Sequence, residues 1–554
     1  MSYEKKYQFW LNQKDLDPVL LDELINLNEE QIEEVFYSDL SFGTGGLRGL
    51  MGVGTNRVNV YTIRKATLGF ARFLKKKGIP GGVAISYDNR HYSESFAKEA
   101  AMVLAAEGID SYLFESLRPT PMLSFAVRHF KACGGIMITA SHNPKTYNGY
   151  KAYDHTGAQL NLEDAEKVIE EISHIDNPFM IDILDNERIH YIKKDFDEIY
   201  LNEVKKIKIN DVKKDLKIVY SPLHGTGKDI IPGFLKAEGY QILPYEPQMV
   251  IDPNFSQTKS SNPEEKEAYE KTIDYAHRND AGLVMITDPD ADRLGIAVKH
   301  QGEFHLLTGN QTAAIELFYI LSEKKLQNKL PKKGFVYTTN VTTDLIKVIA
   351  KDFDMEVVTT LTGFKFIGEK AEKNKHLGTY VFGCEESYGS LVKDFVRDKD
   401  AVQAVYLLSE IANYLNEQGQ TLMDYLDHIY QIYGFYYEYT NSITLLGLSG
   451  LEKMKILMQH FKKHPPVVLN KRMIAFDDLD KGVHVEDGIT SKVDLPKSNV
   501  LKYYYEDNTW IVFRPSGTEP KIKIYFGTKG KSMEDAKAFI HALSDQIAFE
   551  IEGL

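Results

Sequence analysis

Short apolar runs that alternate with amphipathic stretches constrain this chain more than any other feature. Gly82 to Tyr87, Ile136 to Ile138, Leu216 to Tyr220, Ala281 to Thr287, Phe335 to Thr339 and Thr379 to Phe382 read as buried strands. Between them lie helical patterns such as Thr62 to Lys77, Ser93 to Glu107, Glu264 to Arg278, Gln311 to Leu321 and Thr343 to Ala350. Strand and helix in alternation imply parallel sheets, whose ligands bind in the loops at the carboxyl ends of the strands. Those ends are therefore the places to look for chemistry.

A chain of 554 residues is too long for one core and divides into three or four domains. Leu16 to Phe36 is helical and acidic, and Leu162 to Ile207 reads as a helical, charged close to the first domain. Successive αβ units predict boundaries at 1–206, 207–306 and 307–434, with a strand at Gln241 to Leu243 in the second and one at Glu356 to Thr360 in the third. From about Phe435 the character changes. Aromatic and β-branched strands (Tyr436 to Ile443, Val500 to Tyr505, Trp510 to Phe513, Ile522 to Phe526) with two amphipathic helices predict an α+β domain over 435–554.

Composition excludes several classes. No apolar run reaches 18 residues, and the start MSYEKKYQFWLNQ has no signal core, so neither a membrane span nor export is expected. Two cysteines, Cys133 and Cys384, rule out a disulfide framework and place the chain in the cytoplasm. The net charge of −13 argues against nucleic acid as a partner. An anionic substrate would have to be met by positive residues concentrated locally.

The loops carry the chemistry. After Ile138 comes Thr139-Ala140-Ser141-His142-Asn143-Pro144, which puts the Ser141 hydroxyl in a loop; the bland alternative is an N-cap serine on the surface. After the strand ending at Thr287 comes Asp288-Pro289-Asp290-Ala291-Asp292-Arg293. Three carboxylates at alternate positions can converge on one hard cation, Mg²⁺ in particular. An EF-hand is excluded, because Arg293 stands at position six and Lys299 at position twelve. Arg514-Pro515-Ser516-Gly517-Thr518, with lysines just beyond it, offers what a phosphate dianion needs: a guanidinium, hydroxyls and bare amides. Gly383-Cys384-Glu385-Glu386-Ser387-Tyr388 offers acceptors for sugar hydroxyls, or is a charged surface turn. The glycine-rich Phe42 to Gly49 is a close-packed loop but no dinucleotide fingerprint, and Gly227-Lys228 lacks the rest of a Walker A loop. Arg48, Lys151, Lys365, Arg397 and Lys399 are read as loop cations, each uninformative alone.

Together these motifs are a signature. FGTGGLRG, TASHNPKTYNGYK, DPDADR, GCEESYG and RPSGTEPKIKIY occur in this order between Phe42 and Tyr525, and with them the chain resembles the α-D-phosphohexomutase superfamily and, within it, the phosphoglucomutases. The resemblance implies three similar αβ domains with mixed, mainly parallel sheets and a fourth, TATA-binding-protein-like α+β domain, around a central cleft. It implies conversion of glucose 1-phosphate to glucose 6-phosphate through a phosphoserine at Ser141 and glucose 1,6-bisphosphate. Asp288, Asp290 and Asp292, with the phosphoserine, would bind one Mg²⁺. Glu385 and Ser387, with Arg293 and Lys365, would hold the sugar; Arg514, Ser516, Gly517, Thr518 and Lys523 would hold the non-reacting phosphate. Lys151 and Lys399 are the candidates for proton transfer, and Arg48, His142 and Arg397 would support the site. Related loops carry a histidine after Glu-x-Ser where this chain has Tyr388 and Gly389, which leaves the base open. Phosphosugars are the expected partners, with no membrane and a monomer or homodimer. Mannose, glucosamine or pentose phosphates, or a phosphosugar-binding regulator without turnover, are the alternatives.

Overall fold

Val83–Tyr87 and Gly134–Ile138, every residue of them buried, form the centre of the first sheet. The computed structural model describes residues 2–43, 45–445, 448–515 and 521–553, giving only the backbone at 448, 449 and 451. The first sheet runs in the order Gly46–Leu50, Tyr147–Asp154, Gly134–Ile138, Val83–Tyr87, Ser111–Phe114, Ile189–Ile192. The last four strands are parallel, and the first two join antiparallel. Helices Val60–Lys77 and Ser93–Ala106 pack Phe70, Leu74, Ala97 and Leu104 against the sheet.

The second sheet has the order Glu303–Leu307, Leu294–His300, Leu283–Thr287, Lys217–Ser221, Gln241–Pro244, parallel from Leu283 onward and antiparallel before it. In the third region Gly334–Thr339 pairs parallel with Glu356–Thr360, and Thr379–Cys384 pairs antiparallel with Ser390–Leu391. The C-terminal sheet has seven strands, all antiparallel, and carries helix Met533–Glu552 over a core of Phe513, Ile524, Ile540 and Ile547. The expected class, αβ regions with mixed and mainly parallel sheets followed by an α+β region, is what the chain forms. Two compact units result: Met1–Gly309 with Phe364–Thr421, and Asn310–Gly363 with Leu422–Leu554. No helix among the described residues is long and apolar enough to cross a membrane.

Several local expectations need correction. The glycine-rich stretch read as a loop contains strand Gly46–Leu50, paired with Tyr147–Asp154. An added Cβ on Gly46 would lie 2.0 Å from the Tyr150 carbonyl oxygen, so the glycine permits a close strand approach. Of the five cations read as lying in loops, Arg48 and Lys151 are on these strands and Lys365 is on helix Phe364–Asn374. The region read as wholly helical, 162–207, contains edge strand Ile189–Ile192; its four residues bury only their ends and carry no alternating signal.

Candidate functional site

Three loops meet inside the first unit, each at the carboxyl end of a strand. Each holds one non-glycine residue in the left-handed region: Ser141 at φ 51°, Ala291 at 49° and Tyr388 at 66°. Such backbone is costly and persists where the surroundings over-determine it. Ser141, 3% exposed, sits just beyond strand Gly134–Ile138. Its amide donates to Thr139 Oγ1 at 2.8 Å. Its hydroxyl donates to Asp288 Oδ2 at 2.8 Å and lies 3.4 Å from His142 Nδ1.

Arg90 fixes this loop. The buried guanidinium donates to the carbonyls of Ser141 at 2.6 Å, Asn143 at 2.5 Å, Pro144 at 2.9 Å and Tyr147 at 3.0 Å. Arg48, exposed, donates to Asn143 Oδ1 at 2.9 Å on the same loop. The sequence alone does not single out Arg90. The signal was available: Arg90 follows a buried strand, and that strand is the parallel neighbour of the one leading to Ser141.

Asp288, Asp290 and Asp292 are buried and bring one oxygen each within 4.8 Å of the others. The loop is shaped by Asp288 Oδ1, which accepts from the amides of Asp292 and Arg293 at 3.1 and 3.0 Å. Lys151 Nζ lies 2.7 Å from Asp290 Oδ2 and 3.4 Å from Asp292 Oδ2, and Lys399 Nζ 3.1 Å from Asp292 Oδ2. Burial, then the two neighbouring carboxylates, pushes Asp288 well above the usual carboxylate range. Burial acts on Asp290 in the same sense, but Lys151 overrides it and holds that carboxyl below its ordinary value. Both ammoniums, desolvated yet facing the aspartates, are raised. Asp290 Oδ1 and Asp292 Oδ1 are buried with no hydrogen-bond partner among the described residues. Orphaned anionic oxygens of this kind fit a hard divalent cation.

The third loop docks on the second. The Leu294 amide donates to the Tyr388 carbonyl at 3.0 Å, and the Ala401 amide to the Ala291 carbonyl at 3.3 Å. Glu385 is buried at the strand end and Ser387 half-buried. Arg293 donates to Glu264 Oε1 at 2.8 Å. Lys365 is nearly buried, with its Nζ 5.0 Å from the Phe366 ring; burial pushes it down to about 8. Arg397 is turned to Glu372, at 2.9 and 3.1 Å, and to Asp394. Two further contributors were not singled out by sequence. Thr120 donates through its hydroxyl to Asp290 Oδ2 at 3.0 Å and through its amide to the Asp290 carbonyl. Asp398 accepts from the Lys399 amide at 2.8 Å and ammonium at 3.2 Å and from Tyr153 Oη at 2.8 Å.

In the second unit Arg514 and Lys523 stand opposite each other on strands Thr509–Pro515 and Lys521–Gly530, and Arg514 donates to Tyr525 Oη at 3.2 Å. Ser516, Gly517 and Thr518 lie outside the described residues.

The chain matches four consecutive family descriptions: phosphoglucomutase/phosphomannomutase alpha/beta/alpha domain I over residues 39–179, domain II over 198–302, domain III over 308–433, and the C-terminal domain over 472–545. It is 39% identical over 520 residues to a phosphoglucomutase of Staphylococcus aureus strain MSSA476, and 40% to that of strain MRSA252, covering 92% of this chain and 93% of each relative. A solved structure of parafusin, a phosphoglucomutase from Paramecium, superposes with a TM-score of 0.68 at 18% identity, covering 93% of this chain and 95% of that one. This last likeness concerns the fold.

Proposed function

The chain belongs to the α-D-phosphohexomutase superfamily, and from that premise we propose that it interconverts α-D-glucose 1-phosphate and glucose 6-phosphate through a phosphoserine at Ser141. The observation that carries the reading is the hydrogen bond of the Ser141 hydroxyl to Asp288 at 2.8 Å, within a buried aspartate triad that Lys151 and Lys399 also meet. A protein that only bound a phosphosugar would need no hydroxyl beside a cation site.

Phosphoserine 141 gives up its phosphoryl group to the free hydroxyl of a hexose monophosphate. The P–Oγ bond breaks, a P–O bond to the sugar forms, and the sugar hydroxyl loses its proton. Glucose 1,6-bisphosphate results; it turns over and returns its other phosphate to Ser141. Asp288, Asp290, Asp292 and a Ser141 phosphate oxygen would hold one Mg²⁺, which when bound neutralises charge on the transferring group. Lys151 and Lys399 add positive charge at the same point and are assigned the proton transfer: one ammonium gives its proton to the departing Ser141 oxygen and, so neutralised, takes the proton of the sugar hydroxyl. Arg90 and Arg48 hold the serine loop in register, with His142 beside the hydroxyl. Most of the acceleration comes from such positioning and charge stabilisation.

Glu385 and Ser387, with Arg293 and Lys365, take the sugar. Arg514, Ser516, Gly517, Thr518 and Lys523 take the phosphate that does not react, and Arg397 supports Lys399. The functional division is then 1–206 for the phosphoserine, 207–306 for the metal, 307–434 for the sugar and 435–554 for the second phosphate. Cys133 and Cys384, both buried and neither in a disulfide, accord with a cytoplasmic protein, and we infer a monomer or homodimer.

A coupled assay with glucose 1-phosphate, Mg²⁺ and a trace of glucose 1,6-bisphosphate tests this, repeated with mannose and ribose phosphates. The expected result is preferred turnover of glucose 1-phosphate and a phosphoryl adduct that Ser141→Ala removes. An adduct mapped to another residue, or faster turnover of either rival sugar, defeats the reading.

A further inference from the structure

A pocket of about 460 Å³ opens on the first unit, away from the aspartate triad, with Arg128, Lys131, His155, Lys375 and Glu372 in its lining. Its size suits a small ligand. Charge is what sets it apart. Among the described residues Arg128, Lys375 and the adjoining Arg397 make ion pairs only with Glu372 and Asp394, in a chain whose net charge is −13. Glu372 is shared among three of these cations: Arg397 at 2.9 Å, Arg128 at 3.6 Å and Lys375. The Lys131 ammonium has no ion-pair partner among the described residues. Burial, and after it the nearby Arg397, holds Arg128 below the ordinary arginine value. Ile79 and Pro80 add an apolar wall.

Three segments run from this pocket to the triad. Helix Thr120–His129 donates to Asp290 from its first residue and places Arg128 in the pocket one residue before its end, about 12 Å along the axis. Strand Tyr147–Asp154 carries Lys151 to Asp290 and leads directly into His155 and Thr156 in the pocket. The segment 394–399 sets Arg397 on Glu372 and Lys399 on Asp292. An anion seated among these cations competes with Glu372 for Arg128 and Lys375, and so changes what anchors Arg397, two residues from Lys399.

We propose that this pocket binds a small phosphate-bearing anion and that its occupancy changes turnover at the triad. Two lysines and an arginine fork match a phosphate dianion. Nothing in the proposed mutase reaction uses this pocket, and the binding measurement holds whichever hexose phosphate is turned over.

The test is equilibrium dialysis of radiolabelled inorganic phosphate against the full chain, with saturating glucose 6-phosphate to block the catalytic site. One phosphate per chain should remain bound. Lys131→Ala/Lys375→Ala should weaken that binding tenfold or more, while Lys131→Arg/Lys375→Arg retains it and shows that the fold tolerates change there. Phosphate should alter kcat at saturating glucose 1-phosphate in the wild type and the arginine variant, and not in the alanine variant. The proposal is overturned if glucose 6-phosphate displaces all bound phosphate, if the alanine variant binds as tightly as wild type, or if bound phosphate leaves kcat unchanged.

Discussion

Lys399 is placed by two carboxylates, Asp292 and Asp398. Asp398 accepts from its ammonium and its amide, and is itself held by Tyr153 Oη and by Gln159 Nε2 at 3.1 Å. Asp398→Asn keeps the shape and removes the charge, so the ammonium loses one of its two anionic partners. We expect kcat to fall about 10- to 100-fold, the usual range for a partner of an active group, with KM changed less than about twofold. Asp398→Glu should recover part of kcat. Equal loss in kcat and in melting temperature, with no recovery by glutamate, would make the residue merely structural. In the second unit Lys502 makes a pH prediction. It is 2% exposed, donates to the Asn340 carbonyl at 2.7 Å and lies over the Trp510 ring at 4.6 Å. Burial, then Lys347, pushes its ammonium down to about 7 from 10.5. The unfolded chain therefore binds the extra proton between those values, so this group makes the fold more stable as pH rises from about 7 to 10.5. The melting temperature of Lys502→Met, relative to wild type, should drop steadily over that interval. A difference that does not vary with pH would show that Lys502 is not neutral in the fold.

The loop 288–293 is held from outside by an element with no chemistry of its own. Gly225 lies against Pro289: an added Cβ would come within 2.4 Å of the Pro289 Cα and carbonyl oxygen, and that carbonyl accepts from the Thr226 amide at 2.8 Å. Backbone cannot step aside as a side-chain tip does. Gly225→Ala should leave both units folded but displace the triad and remove most turnover; normal kcat in that variant would show that the loop adjusts. Sequence explains why such a contact stays hidden. The motifs Ser141, Asp288 to Asp292 and Glu385 were legible because each follows an apolar run, where the hydrophobic pattern marks the strand and its end marks the loop. Arg90, Thr120 and Asp398 were not, because each acts through a neighbour brought near by strand order, and strand order is non-local. The same cause hid strands Gly46–Leu50 and Tyr147–Asp154, whose glycines and lysine suit their close antiparallel pairing and not a strand propensity. Strands Val483–Glu486 and Ile489–Lys492, at the end of the C-terminal sheet, escaped because none of their residues is buried and such strands need little apolar pattern.

At the scale of the whole chain, charge decides how stability responds to metal. The net charge is −13, and the first unit adds a local problem by burying three carboxylates with oxygens within 4.8 Å. Lys151 and Lys399 meet part of that charge, yet Asp290 Oδ1 and Asp292 Oδ1 keep no hydrogen-bond partner among the described residues. A divalent cation bound there belongs to the folded state alone, because unfolding disperses the three aspartates. Mass action then stabilises the fold by about 2.7 kcal/mol at a cation concentration one hundred times Kd. Salt of any kind also screens a chain of this charge, so part of any gain on adding MgCl₂ is unspecific. The specific part is the rise in melting temperature beyond that given by NaCl at equal ionic strength. We expect it to amount to several degrees, to vanish with excess chelator, and to be absent in Asp290→Asn, which loses a ligand charge and keeps the loop bonds made by Asp288. Asp290→Asn should also lose most turnover at every magnesium concentration. If NaCl reproduces the whole rise, or if the Asp290→Asn protein gains as much from MgCl₂ as the wild type, the three aspartates do not form a divalent-cation site.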